Sequence, residues 1–174
     1  HGMKVILVSK SRVGYKNNTA IAGGGLAVAA GWGNSKDSPQ THFKDTVVAG
    51  CYLNDRKLVE TLVTGCEQQV YDLVKFGVSF QKKDSDFAVH FIPGHSYPRM
   101  LLSTKRGMGF TLPLRQHAKS IGIHLVENIL VTNLLIREGR AVGALGIDAR
   151  GQIIAFSARA VVVATGGCGH IFLR

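Results

Sequence analysis

Two groups of glycine carry the strongest chemical signal in this 174-residue chain. Gly23-Gly24-Gly25 lies downstream of an apolar run that ends in Val8-Ser9-Lys10, and Ala164-Thr165-Gly166-Gly167 follows the run Val161-Val162-Val163. Glycine lacks a Cβ, so such segments let bare backbone come against a ligand. Sites in open α/β sheets gather at the ends of parallel strands, where both segments would suit a large flat cofactor. The other reactive residue types offer less. His42 and Asp45 stand three apart, which on a helix makes them neighbours and points to a local hydrogen bond or cap. His90 and His95 lack the three or four convergent ligands of a zinc site. Cys51, Cys66 and Cys168 are odd in number and lack a Cys-x-x-Cys spacing, so they read as free thiols of a reducing compartment. No catalytic residue and no metal ligand is assigned.

The elements that must hold these segments follow from periodicity. Residues 5–8 are continuously apolar, as in a buried parallel strand. Asn54 is the predicted N-cap of a long helix with a core stripe of Leu58, Leu62, Cys66, Val70 and Leu73 and a stop at Gly77; Gly65 allows a break within it. Residues 82–105 read as a long irregular loop, with His95 and Arg99 on solvated surface or a partner contact. Thr111 is expected to cap a second helix, with Pro113 in its first turn. Its buried stripe would be Phe110, Leu114, Ala118 and Ile121, and Gly122 would end it. Strands are then predicted at residues 123–126, 131–137, 141–148, 152–157 and 160–164. The second and third form a hairpin across Glu138-Gly139-Arg140, and the last is a buried parallel strand. The order gives an α/β fold class, an open parallel sheet with a small antiparallel insert.

Composition limits the alternatives. Hydrophobic residues make up 45% of the chain and charged residues 18%, which excludes a disordered segment. The net charge of +10 would attract phosphates, but Lys and Arg are scattered, with no dense block and no aromatic interleaving. A basic module for nucleic acid or an acidic protein therefore stays only as an alternative, and no nucleic acid is expected as partner. No apolar stretch is long enough to cross a bilayer. His1-Gly2-Met3 looks like a tag remnant ahead of a start methionine, leaving residues 4–174 as the domain.

Between the glycine groups runs an ordered series: Asp37-Ser38, His42, Asp45-Thr46, Gly50, Asp55, Gly77-Val78, Gly94-His95-Ser96, Arg99 and Val142-Gly143. With the two glycine segments it resembles the flavoprotein subunit of fumarate reductase and succinate dehydrogenase, and the related L-aspartate oxidase. The likeness covers the chain from Val5 onward. It implies an FAD/NAD(P)-binding doubly wound parallel sheet, and hydride transfer between FAD and a dicarboxylate (fumarate/succinate or L-aspartate). It also implies that Ser9 and Lys10 lie near the adenosine ribose and pyrophosphate. Thr19, Ala22, Gly23, Gly24 and Gly25 would follow the isoalloxazine edge. Val131 would meet the adenine through its main chain, while Ala164, Thr165 and Gly166 would pass the pyrophosphate. The same likeness brings an iron–sulfur subunit as partner. It also brings a cytoplasmic place, peripheral at the inner face of the membrane.

Departures from the family pattern shape the rest. The family's opening strand and Gly-x-Gly-x-x-Gly turn would precede Val5, and its substrate-holding parts would follow Arg174. The chain is thus expected to be an incomplete FAD-binding domain, weak in FAD binding and inactive alone. Members with covalent FAD carry a histidine where this sequence has Asn18, so non-covalent flavin is expected. Another FAD-dependent oxidoreductase of the same fold remains the second reading.

Overall fold

The computed structural model describes residues 2–167. The chain divides into two compact units, residues 19–118 in one and the flanking stretches 1–18 and 119–174 in the other.

The unit built from the chain's two ends holds β1 (Ile6–Ser9) and, after the intervening unit, four more strands: β7 (His124–Glu127), β8 (Ile129–Arg137), β9 (Arg140–Asp148) and β10 (Ile153–Ser157). β1 and β7 pair in parallel, from Ile6 opposite His124 to Ser9 opposite Glu127, each one residue later than the apolar runs suggest. β8, β9 and β10 form an antiparallel sheet in the order β10-β9-β8. Glu138 (φ 50) and Gly139 (φ 74) turn the first hairpin. Two consecutive left-handed residues make the tight turn whose twist matches the flanking strands. At the next turn the Asp148 carboxylate accepts from the Arg150 and Gln152 backbone N–H groups, both at 2.8 Å. Residues 160–164, expected as a buried strand, belong to no strand among the described residues. The last ladder bond runs from Ala158 N to Val142 O. An all-apolar strand needs partners along both edges and cover on both faces, whereas Val162 is 90% exposed. Cys168 lies outside the described residues.

The second unit carries α1 (Asn18–Ile21, starting at the boundary), β2 (Gly25–Ala27), α2 (Pro39–Ala49), α3 (Arg56–Lys75), β3 (Lys82–Lys83), β4 (Asp86–Phe87), β5 (Val89–His90), β6 (Met100–Leu102) and α4 (Met108–Ser120). Residues 82–105 are therefore not one long loop. Four short strands organise them, and β2-β6-β5 make an antiparallel sheet with Gly25 opposite Leu102. Runs of two or three residues show no period that sequence reading can detect.

Ser38 caps α2, accepting from Thr41 N at 3.2 Å, with Pro39 at the first helical position. The cap of α3 is Asp55 rather than Asn54. Its carboxylate accepts from Lys57 N (2.9 Å) and Leu58 N (3.2 Å), while the Asn54 amide donates to Thr46 O. α3 runs unbroken through Gly65, and Gly77 (φ 95) ends it as expected. Its buried face is Val59, Val63, Cys66 and Val70, whereas Leu58 and Leu62 are 70% and 57% exposed. The expected stripe and the observed one share Cys66 and Val70. Val47 and Phe43 of α2 pack on Val59 and Val63 and so set the face. The main core gathers Val28, Cys66, Val70, Val78, Phe80 and Leu101, with Phe110 packed against it. α4 begins three residues before the expected Thr111 cap, and Thr111 N already bonds to Gly107 O. Pro113 thus falls inside the helix, and of the expected stripe Leu114 and Ile121 are exposed.

Candidate functional site

The glycine segment is held by a turn at residues 103–107. Ser103 N donates to Gly24 O at 3.0 Å and Gly107 N to Ala22 O at 3.1 Å. Each of the three glycines then has its own reason. Gly24 is buried at φ 83, and a Cβ there would run into the Arg106 main chain. A Cβ on Gly25 would meet Met100 Sδ at 2.7 Å. At Gly23 an added Cβ would find nothing within 4 Å, and Thr19, Ala22 and Gly23 are all exposed. Gly24 is therefore required by the backbone packed against it, Gly25 is exposed and faces the movable Met100 side chain, and an added Cβ at Gly23 finds open space.

In the other unit, Ser9 ends β1, half-buried, and Lys10 beyond it is exposed. The loop that follows is tied down. Val13 N donates to Glu127 Oε1 at 2.9 Å, and the Arg12 guanidinium lies 4.1 Å above the Tyr15 ring centroid. Val131 pairs with Gly146 beside a register shift between Val131 and Asn133. Such a bulge leaves backbone unpaired and redirects the strand. Ala164, Thr165 and Gly166 are exposed, and nothing lies within 4 Å of a Cβ placed at Gly166 or Gly167. Dinucleotides are bound elsewhere by close main-chain approach of this kind.

Sequence reasoning missed a buried ionic cluster. Arg99 is 1% exposed, not on the surface. Its Nε donates to Asp37 Oδ2 at 3.0 Å and its Nη2 to Asp37 Oδ1 at 2.6 Å, a two-pronged pairing. Its Nη1 stands 2.9 Å from Asp45 Oδ2. Asp45 also accepts from Ser96 N (2.8 Å) and Ser96 Oγ (2.7 Å). So Asp45 serves partners 51 and 54 residues away rather than a local bond to His42. Burial works to raise the Asp45 pKa, but the Ser96 bonds and the Arg99 charge together hold it below the ordinary carboxylate value. His42 is buried, its Nδ1 without a hydrogen-bond partner, and its ring centroid lies 5.6 Å from that of His95. Burial first and the Arg99 charge second lower the His42 pKa to about 4, and the same two causes lower that of His95. Both imidazoles are neutral near pH 7. The available signal was one arginine amid apolar residues, Pro98 to Leu102, with the acids Asp37 and Asp45 far from it in sequence.

The Arg99 cluster is wired to the glycine segment. Arg99 O accepts from Val28 N at 2.9 Å, directly after β2, and Arg99 N donates to His90 O at 3.2 Å. The ionic cluster thereby fixes the strand that carries Gly25 and, through it, the presentation of Gly23.

Comparison with known proteins decides which cofactor these faces suit. A family model described as "FAD binding domain" matches residues 1–174. The chain belongs to the FAD-binding domain family. FAD is the cofactor of this family. The chain is 30% identical to one of the subunits of the fumarate reductase (CoM/CoB) of Methanothermobacter marburgensis, over 99% of its own length and 32% of that protein's. It is 35% identical to L-aspartate oxidase of Synechocystis sp., over 98% of this chain and 31% of the enzyme. Among solved structures, the Sdh1 complex of Mycobacterium smegmatis matches with a TM-score of 0.88 and 32% identity, over 98% of this chain and 31% of that one. The chain spans about a third of the length of these relatives. The expected α/β fold and the expected flavoprotein family both hold.

Proposed function

We propose that the chain is the FAD-binding part of a flavin-dependent oxidoreductase that transfers hydride between FAD and a dicarboxylate. Relatives that are fumarate reductase and L-aspartate oxidase support this reading. The observation that carries it is the open backbone at Gly23, held by the Arg99 cluster and the turn at residues 103–107. In this reading the exposed Thr19, Ala22 and Gly23 lie along the isoalloxazine, and Gly24 and Gly25 set their curvature. Ser9 and Lys10 face the ribose and pyrophosphate. Val131 meets the adenine with its main chain, and Ala164, Thr165 and Gly166 border the pyrophosphate. When bound, the flavin accepts or gives the hydride, and the chain's residues orient it and keep protein bulk off its face. Asn18 opens α1 with an amide, which has no nucleophilic ring nitrogen for a covalent link, so the flavin is held non-covalently. An iron–sulfur partner subunit belongs to the same proposal, as does a cytoplasmic position at the inner membrane face. Among the described residues no helix is long and apolar enough to cross a membrane.

The test uses the whole protein loaded with FAD. Anaerobic addition of succinate or L-aspartate should bleach the oxidised flavin, and fumarate should restore it. A flavin that neither L-aspartate nor succinate reduces, and that fumarate does not reoxidise once reduced chemically, would overturn the substrate class. FAD affinity should change little with salt, whereas a basic nucleic-acid module would lose affinity steeply.

A further inference from the structure

The turn at residues 103–107 does more than hold the glycines. Arg106 sits in it at φ 53, a left-handed conformation that glycine or asparagine meets at less cost than arginine. Its main chain is fixed on every side. Arg106 N donates to Ser103 O at 3.4 Å, the Ser103 hydroxyl donates to Arg106 O, and Arg106 O also accepts from Gly109 N at 2.9 Å. Gly107 is confined as well, because a Cβ there would collide with Thr19 O. Lys105 and Arg106 are nonetheless both exposed. Immediately after them α4 begins, and its amino-terminal end adds partial positive charge. A strained backbone that presents a cation, where an uncharged residue would fit more easily, points to a use for that cation.

We propose that Arg106, with Lys105 and the start of α4, is the positive group that this chain sets beside the flavin edge to stabilise the charge gained on reduction. The inference rests on the proposed path of the isoalloxazine along residues 19–25. A hydride brings two electrons and one proton, so the ring ends with one more negative charge than it began with. The Arg106 main chain lies against Gly24, and its neighbour Gly107 donates to Ala22 O, so a guanidinium carried at this position favours that charged state and raises the flavin's midpoint potential.

The experiment compares wild-type holoprotein with R106G, R106N and R106K, reading FAD content, thermal midpoint and flavin midpoint potential. Glycine and asparagine both accept φ 53, so R106G and R106N should fold and load FAD at least as well as wild type. In both, the reduced-to-oxidised ratio at a fixed poised potential should fall about fivefold or more, as for loss of one partly solvated unit charge. The gap should narrow in high salt, and R106K should recover most of it. R106G and R106N proteins that load normally but keep the wild-type midpoint overturn this inference alone. A wild-type protein that takes up no FAD overturns the proposed function as well.

Discussion

Arg99 faces two carboxylates, Asp37 and Asp45, in a site where its own side chain has no solvent exposure. Removing the guanidinium strands both acids in low dielectric, and breaking a buried pair from one side costs about 3–5 kcal/mol. Arg99→Met should therefore lower stability by that order in chemical denaturation at neutral pH. The penalty should shrink in acid, where the carboxylates take up protons. His42 gives a separate signature. Its folded pKa is about 4 against an ordinary 6.5, so below pH 6.5 the unfolded chain binds a proton that the folded chain refuses. Stability must fall between pH 6.5 and 4, by up to about 3 kcal/mol, and His95 acts in the same direction. Asp45 adds a loss only at lower pH, as its depressed folded pKa is approached. His42→Gln should flatten the slope between pH 4 and 6.5 in urea melts recorded across that range. A slope unchanged by the substitution would show that His42 titrates normally.

Elements show where sequence reading works and where it stops. The hairpin at Glu138-Gly139 was legible because turn chemistry is local, and so was the helix stop at Gly77. The face of α3 was not. Two stripes one residue apart both satisfy helical periodicity, and only the position of α2 chooses between them. Val63→Ala should cost about 2 kcal/mol, while Leu62→Ser should stay within about 0.5 kcal/mol. Gly65 sits in mid-helix with nothing within 4 Å of an added methyl. Gly65→Ala should raise stability by about 0.5–1 kcal/mol, measurable as a shift in the thermal midpoint. Gly24→Ala should do the reverse, since the left-handed backbone and the Arg106 main chain both oppose it. The Arg99 cluster was illegible for another reason. Its members span residues 37 to 99, and no local pattern reports that a lone arginine will be buried.

At the scale of the molecule, the chain offers two compact units, each presenting backbone free of side-chain bulk. Gly23 lies in one unit and Gly166 with Gly167 in the other, and FAD is the cofactor of the family. The fold class could be read from the order of the predicted elements, and the cofactor from the resemblance to the fumarate reductase and L-aspartate oxidase flavoproteins. What only the structure revealed is that the three glycines differ: Gly24 is locked against the Arg106 main chain at φ 83, while a Cβ at Gly23 would meet nothing within 4 Å. The open space at Gly23 makes a direct measurement possible, the FAD dissociation constant of the chain and of its Gly23→Val variant by fluorescence titration. A Cβ at Gly23 finds nothing within 4 Å and the residue is exposed, so circular dichroism and the melting midpoint should match the parent, and FAD should bind at least about tenfold more weakly, a loss of about 1.4 kcal/mol. A Gly23→Val chain that folds normally and binds FAD as tightly as the parent would contradict the account.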